Sequence, residues 1–118
     1  MAQSTGLVLI TGACGNLGRA VAQVFAARGR KLALLDRDAS LLGDTFGADT
    51  DVRLTLACDL LDAAAVEASV QRATESLGPV TVLCNLAGGF RMGEAVHETT
   101  PPTWDFLMDL NVRSVLHT

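Results

Sequence analysis

Short apolar runs alternate along the chain with longer stretches in which apolar residues recur at helical spacing. Leu7-Val8-Leu9-Ile10 is four apolar residues in a row bounded by glycine, which predicts a short strand buried on both faces. Leu17, Ala20, Val21, Val24 and Phe25 then fall at helical spacing. Residues 11–18, Thr-Gly-Ala-Cys-Gly-Asn-Leu-Gly, therefore join a strand to a helix, and that helix is expected to stop near Arg28-Gly29. Residues 31–35 read as a second strand closed by Asp36, and residues 39–47 as a short helix with Leu41, Leu42 and Phe46 inward. After a polar turn over 47–51, residues 53–57 read as a third strand leading to Cys58-Asp59-Leu60. A helix over 62–77 starts on Asp62 as cap, ends at Gly78-Pro79, and turns Val66, Val70, Ala73 and Leu77 to the sheet. Residues 80–84 form a fourth strand that runs into Asn85-Leu86-Ala87-Gly88-Gly89. Residues 90–102 show no periodicity and read as an extended loop. Thr100 before Pro101-Pro102 marks the start of a last helix. Trp104, Leu107, Met108, Leu110, Val115 and Leu116 give that helix a broad apolar surface, suited to packing on the sheet alone or also to meeting a partner subunit. Residues 1–6 read as a short polar arm.

Strands alternating with helices imply an α/β fold with a parallel, doubly wound sheet. Right-handed crossovers give the strand order 3-2-1-4, with a crevice between strands one and four. The glycine loop at 12–18 and the small residues at 87–89 would converge there. Gly12, Gly15 and Gly18 let backbone approach a pyrophosphate, whose charge the free N–H groups of the helix start would bind; a tight turn alone would also want glycine. Asp36 follows at the distance expected of a residue that accepts hydrogen bonds from a ribose. The alternative for Asp36 is a cap within residues 36–40. An acidic residue there repels a 2′-phosphate and so points to NAD. Arg37 beside it could accommodate that phosphate, which leaves NADP open. Asp59 could meet an adenine amino group or cap the following helix. The small residues after strand four would let backbone lie against a flat ligand, or serve only a turn.

The chain has 118 residues and a net charge of −4, enough for one domain, with no electrostatic support for a nucleic-acid partner. No apolar run approaches membrane-spanning length and no charged segment leads into a signal core, so a cytoplasmic protein without a membrane partner is expected. Cys14, Cys58 and Cys84 show no metal spacing. They read as reduced, semi-buried residues at the C-terminal ends of strands, with a redox role as the alternative. His97 in the long loop and His117 at the end of the last helix are the two histidines. His97 could titrate near a substrate or sit on the surface; His117 is placed to meet the helix dipole or a partner.

Thr11-Gly12-Ala13-Cys14-Gly15-Asn16-Leu17-Gly18 resembles the N-terminal cofactor motif of the short-chain dehydrogenase/reductase family. Asp59-Leu60 is similar to the pair that contacts adenine in that family, and Asn85-Leu86-Ala87-Gly88 resembles its Asn-Asn-Ala-Gly segment. Asn111 occupies the place of the active-site asparagine. The glycine spacing is more usual in extended or atypical members, and Leu86 replaces the second asparagine, which leaves the subfamily open. The resemblance implies a Rossmann-like, partial four-stranded sheet that binds NAD (NADP possible). It also implies hydride transfer to or from a small carbonyl or alcohol substrate, with Asn111 helping to hold a water in the proton relay; the alternative for Asn111 is a side-chain hydrogen bond within its helix. The family's proton donor is a tyrosine followed four residues later by a lysine. This sequence has no tyrosine, and its one lysine is Lys31. Residues 1–118 are therefore expected to be the N-terminal, NAD(P)-binding portion of a longer enzyme, inactive by itself, with the C-terminal catalytic portion absent. Its fourth strand would then be a bare sheet edge, so marginal stability or a homo-oligomer through the last helix is expected. The alternative from another class is a self-contained, non-catalytic dinucleotide-binding or sensor module.

Overall fold

The computed structural model describes residues 6–118. The polar arm expected over 1–6 lies outside them except for Gly6, which is buried, with its carbonyl accepting from Arg30 Nη2 at 3.3 Å. Four parallel strands, β1 (Leu7–Thr11), β2 (Lys31–Asp36), β3 (Arg53–Ala57) and β4 (Val80–Asn85), pair in the order β3-β2-β1-β4. Helices α1 (Asn16–Ala27), α2 (Ala39–Phe46) and α3 (Ala63–Leu77) form the crossovers. The doubly wound topology read from the sequence is the one observed.

Alternation along each strand divides the core in two. Leu7, Leu9, Ala33, Leu35, Leu54 and Leu56 face α3, where Val66, Ala73 and Leu77 complete one layer. Val8, Ile10, Leu32 and Leu34 face the other way, onto Ala22 of α1 and Leu42 of α2. The inward stripe of α1 is narrower than its spacing predicts. Gly18 and Ala22 are buried with Val21 and Phe25 beside them, whereas Ala20 is exposed, Leu17 is 62% exposed and Val24 53%. Small residues on that stripe bring α1 close to the sheet, which leaves the flanking apolar residues outside the contact.

Side chains cap the later helices: Asp38 accepts from Leu41 N at 3.1 Å on α2 and Asp62 from Ala65 N at 3.2 Å on α3. The region after β4 departs from expectation twice. A short 3-10 turn, Val96–Glu98, interrupts the long loop. The last helix is not continuous: α4 (Pro101–Met108) passes through one π turn, Asp109–Arg113, into α5 (Ser114–His117). Asn111 Nδ2 takes the Leu107 carbonyl at 2.9 Å and Ser114 Oγ takes that of Leu110 at 2.6 Å. Side chains bonding back to carbonyls four residues earlier compete with the helix ladder, which accounts for the wider turn. Thr100 caps α4 as expected. Glu94 braces the same start, accepting from Thr100 N and Thr103 Oγ1, both at 3.2 Å.

The two sheet edges differ. Asp49 Oδ1 accepts from Thr55 N at 2.8 Å and Thr50 N donates to Arg53 O at 2.8 Å, so the preceding loop closes the outer edge of β3. Among the described residues no backbone bond covers the outer edge of β4, where Leu83 is 42% exposed. No described helix is long and apolar enough to cross a membrane.

Candidate cofactor-binding site

The C-terminal ends of all four strands open onto one cleft of about 260 Å³. Gly12 and Gly15 lie at its centre, Asp36, Arg37, Asp59 and Leu60 line it from β2 and β3, and Leu86, Ala87 and Gly88 line it from β4. The other proposed contacts stand around it. Cys14 contributes its backbone N–H, Gly18 is buried beneath the loop, and Asn16 and Leu17 form the exposed first turn of α1. Asn85 accepts from Thr118 Oγ1 at 2.8 Å. Cys58, expected at a strand's C-terminal end, and Leu110, expected on the apolar face of the last helix, also line the cleft, as do Leu61 and Phe106, which the sequence did not single out. Phe106 and Leu110 are four residues apart, a spacing that already places them on one helix face.

Each glycine of the loop has a different physical reason. Gly12 holds a φ of +64°, and a Cβ there would stand 2.7 Å from Ala87 N, so the tail of β4 lies directly on the loop. A Cβ on Gly18 would run into Gly12 O and lie 2.8 Å from the Ala13 backbone, so α1 meets the loop without a side chain between them. Gly15 has an ordinary backbone, φ −69° and ψ 169°, and a Cβ there would meet only Gly12 O, at 3.3 Å. The fold alone thus has little need of glycine at 15, whereas a ligand in the cleft would need that face clear.

The start of α1 is also left uncapped by any side chain, in contrast to α2, α3 and α4. Its first N–H groups have no partner within the helix and carry the positive end of the helix dipole. An open glycine face, free N–H donors and an acidic acceptor across the strand ends fit a dinucleotide. Both oxygens of Asp36 are held in place: Oδ2 accepts from Cys14 N at 3.0 Å and Oδ1 from Arg37 N at 2.7 Å. Each oxygen keeps a further lone pair for a hydroxyl. The cap of α2 is Asp38, so Asp36 is not a helix cap. Asp59 closes a local turn by accepting from Leu61 N at 3.0 Å, and Asp62, not Asp59, caps α3.

Two long-range clasps hold the β4 side in place. Thr11 Oγ1 accepts from Ala87 N at 3.3 Å. Asn111 accepts from Gly89 N and donates to Gly89 O, both at 3.0 Å, while its third bond goes to Leu107 O. Asn111→Ala should therefore destabilise the fold by about 1–2 kcal/mol, read as a lower urea midpoint. His117 Nδ1 donates to Leu60 O at 2.6 Å and ties α5 to the rim of the cleft. His97 is exposed, with Nε2 3.7 Å from Glu98 Oε1.

Burial pushes the Cys58 thiol above its ordinary pKa; a hydrogen bond with Ser69 opposes this, and the Asp59 and Asp62 carboxylates add to it. Burial does the same at Cys14, opposed by Thr45 and assisted by Asp36 and Asp38. Both remain protonated at neutral pH, a poor state for thiol redox chemistry. Among the described residues no group of three or more His, Cys, Asp or Glu could hold a metal ion.

A glycine turn between strand and helix, an acidic residue closing the next strand and a cleft at the reversal of strand order are features of the dinucleotide-binding class of α/β folds. The chain matches the short chain dehydrogenase family over residues 6–118 and belongs to it. Oxidoreductase UcpA of Salmonella typhimurium is 36% identical over 118 residues, covering 98% of this chain and 44% of that protein. D-threitol dehydrogenase of Mycolicibacterium smegmatis is 31% identical over 109 residues, covering 90% of this chain and 42% of its own length. Among solved structures, the 3-ketoacyl-(acyl-carrier-protein) reductase of Brucella melitensis in complex with NADH superposes with a TM-score of 0.84 at 31% identity. That superposition covers 95% of this chain and 46% of the reductase. The chain thus spans somewhat under half the length of these relatives.

Proposed function

We propose that residues 1–118 are the N-terminal, NAD(P)-binding portion of an oxidoreductase that moves hydride between a nicotinamide and a small carbonyl or alcohol substrate. Gly12, Gly15 and Gly18, with Cys14, Asn16 and Leu17, would admit the pyrophosphate to the start of α1. Asp36 would hold the adenosine ribose, Asp59 and Leu60 the adenine, and Asn85, Leu86, Ala87 and Gly88 the adenosine side. The bound cofactor supplies the hydride acceptor or donor. Asn111, by its position on the π turn, would help hold a water of the proton relay, and its amide anchors the β4 tail against that turn. The NADH in the Brucella reductase structure supports this reading.

The observation that carries the proposal is the pinned Asp36 carboxylate on a cleft whose centre is glycine and an uncapped helix start. Its charge favours NAD over NADP, and Arg37 is the residue placed to take a 2′-phosphate once that charge is removed. Titration should show NADH binding more tightly than NADPH. Asp36→Ala should weaken NADH about tenfold, the loss of roughly 1.4 kcal/mol, and bring NADPH level with it or ahead. Equal NADH and NADPH affinities in the wild type, unmoved by Asp36→Ala, would remove the ribose assignment.

We further propose that the chain by itself gives no turnover and that exposed apolar residues of α4, the π turn and α5, among them Trp104, Val112 and Leu116, form a homo-oligomer contact. A second reading is a non-catalytic dinucleotide-binding or sensor module, in which the cleft binds NADH and nothing is turned over. Turnover by the endogenous protein on a panel of carbonyl compounds separates the two.

A further inference from the structure

We propose that a cavity between α1 and α2 is a second ligand site, for a small carboxylate carried on an aromatic or short apolar body. The cavity measures about 330 Å³ and shares no lining residue with the cofactor cleft. That volume lies at the lower end of small-molecule sites. Its apolar side comes from the buried Ala22 and Leu32 and the half-buried Phe46. Alanine at 22 leaves space beside Phe46 that a larger residue would fill.

The polar side is cationic. Arg53, at the start of β3, donates from Nη2 to Ala48 O at 3.0 Å, while its Nε is shut away from solvent with no acceptor. Arg30 Nε is in the same state but lines neither cavity. Arg19, on α1, donates from Nη2 to Asn16 Oδ1 at 2.6 Å, and its other donors find no acceptor among the described residues. The ion pairs among the described residues are His97–Glu98 and Asp109–Arg113, so neither Arg19 nor Arg53 has a carboxylate partner. No acidic residue lines the cavity, whereas Asp36 and Asp59 line the cofactor cleft. A half-buried cation without a counter-ion is costly, and an anion entering from solution would relieve it. The planar edge of a guanidinium matches a carboxylate, and Gln23 adds an amide to the same lining. A bare inorganic anion would leave Leu32 and the Phe46 ring uncovered, so the ligand's remainder is apolar and flat enough to lie on that ring.

The test is titration of this chain with benzoate and with its neutral isostere benzamide, followed by backbone amide shifts, with and without saturating NADH. Benzoate should saturate at about millimolar concentration or below, at least about tenfold more tightly than benzamide. The shifts should centre on Gln23, Thr45 and Phe46, and NADH should not displace it. Arg53→Gln should bring benzoate down to the level of benzamide, and Arg19→Gln should remove part of the preference, with NADH affinity unchanged in both. Arg19 is exposed and bonds only within its own helix, so Arg19→Gln decides the matter if Arg53→Gln does not fold. Absence of saturable benzoate binding, equal binding of benzoate and benzamide, or a preference untouched by Arg19→Gln would overturn the proposal. So would shifts confined to Gly12 and Gly88 that NADH reverses, because the anion would then occupy the cofactor cleft. Inorganic phosphate binding as tightly as benzoate would overturn the apolar half of the assignment.

Discussion

Gly15→Asp should raise the Kd for NADH by more than about 100-fold while leaving thermal stability unchanged or slightly improved. The two effects have opposite signs for separate reasons. Gly15 is the N-cap of α1, in an extended conformation that any residue adopts, and a side chain there meets the chain only at Gly12 O, 3.3 Å away. Aspartate is among the best N-cap residues because its carboxylate accepts the free N–H groups of the first turn. The fold would therefore accept the substitution. A dinucleotide would not, since the new carboxylate occupies the N–H donors meant for the pyrophosphate and sets a negative charge against it. NADH fluorescence titration beside a melting curve reads both quantities. An NADH affinity within threefold of wild type would take the pyrophosphate away from this loop.

Gly18→Ala should behave in the opposite way, lowering stability by about 3 kcal/mol and weakening NADH only as a consequence. The added Cβ runs into Gly12 O and comes within 2.8 Å of the Ala13 backbone, and neither can retreat as a flexible side chain could. Relief requires moving α1 away from the sheet, which opens the layer formed by Ala22, Val8 and Ile10. A loss of that size is a large share of the stability of a small domain. Urea unfolding measures it directly. A wild-type midpoint would mean that α1 does not approach the loop this closely. Together the two variants separate a glycine that serves a ligand from one that serves packing, although the motif presents them as equivalent.

Much of the architecture is legible along the chain because local patterns dictate it. The run Leu7-Val8-Leu9-Ile10 has no polar face and so demands cover on both sides, which only an interior strand receives. Asp62 and Thr100 cap their helices because their side chains reach the N–H three residues on. Strand order followed from crossover handedness, and the meeting of Gly12 with Ala87 followed from strand order. The last helix was read less well. Its apolar residues are real, but the π turn arises where Asn111 and Ser114 bond back to earlier carbonyls, and no spacing rule signals which polar side chain will do so.

By itself the sequence determined the α/β class, the parallel order, the glycine turn and the acidic residue that closes β2, because each depends on periodicity or on residues a few positions apart. Only the tertiary structure decided how those parts become a site. Asp36 is pinned by Cys14 from 22 residues away, Thr11 holds Ala87 across 76, and His117 reaches Leu60 across 57. The closure of β3 by Asp49 and the bare edge of β4 likewise appear only in three dimensions. Hydrogen bonds of this kind depend on which strands become neighbours and at what register, and a one-residue shift would remove them while leaving the hydrophobic pattern of every helix unchanged.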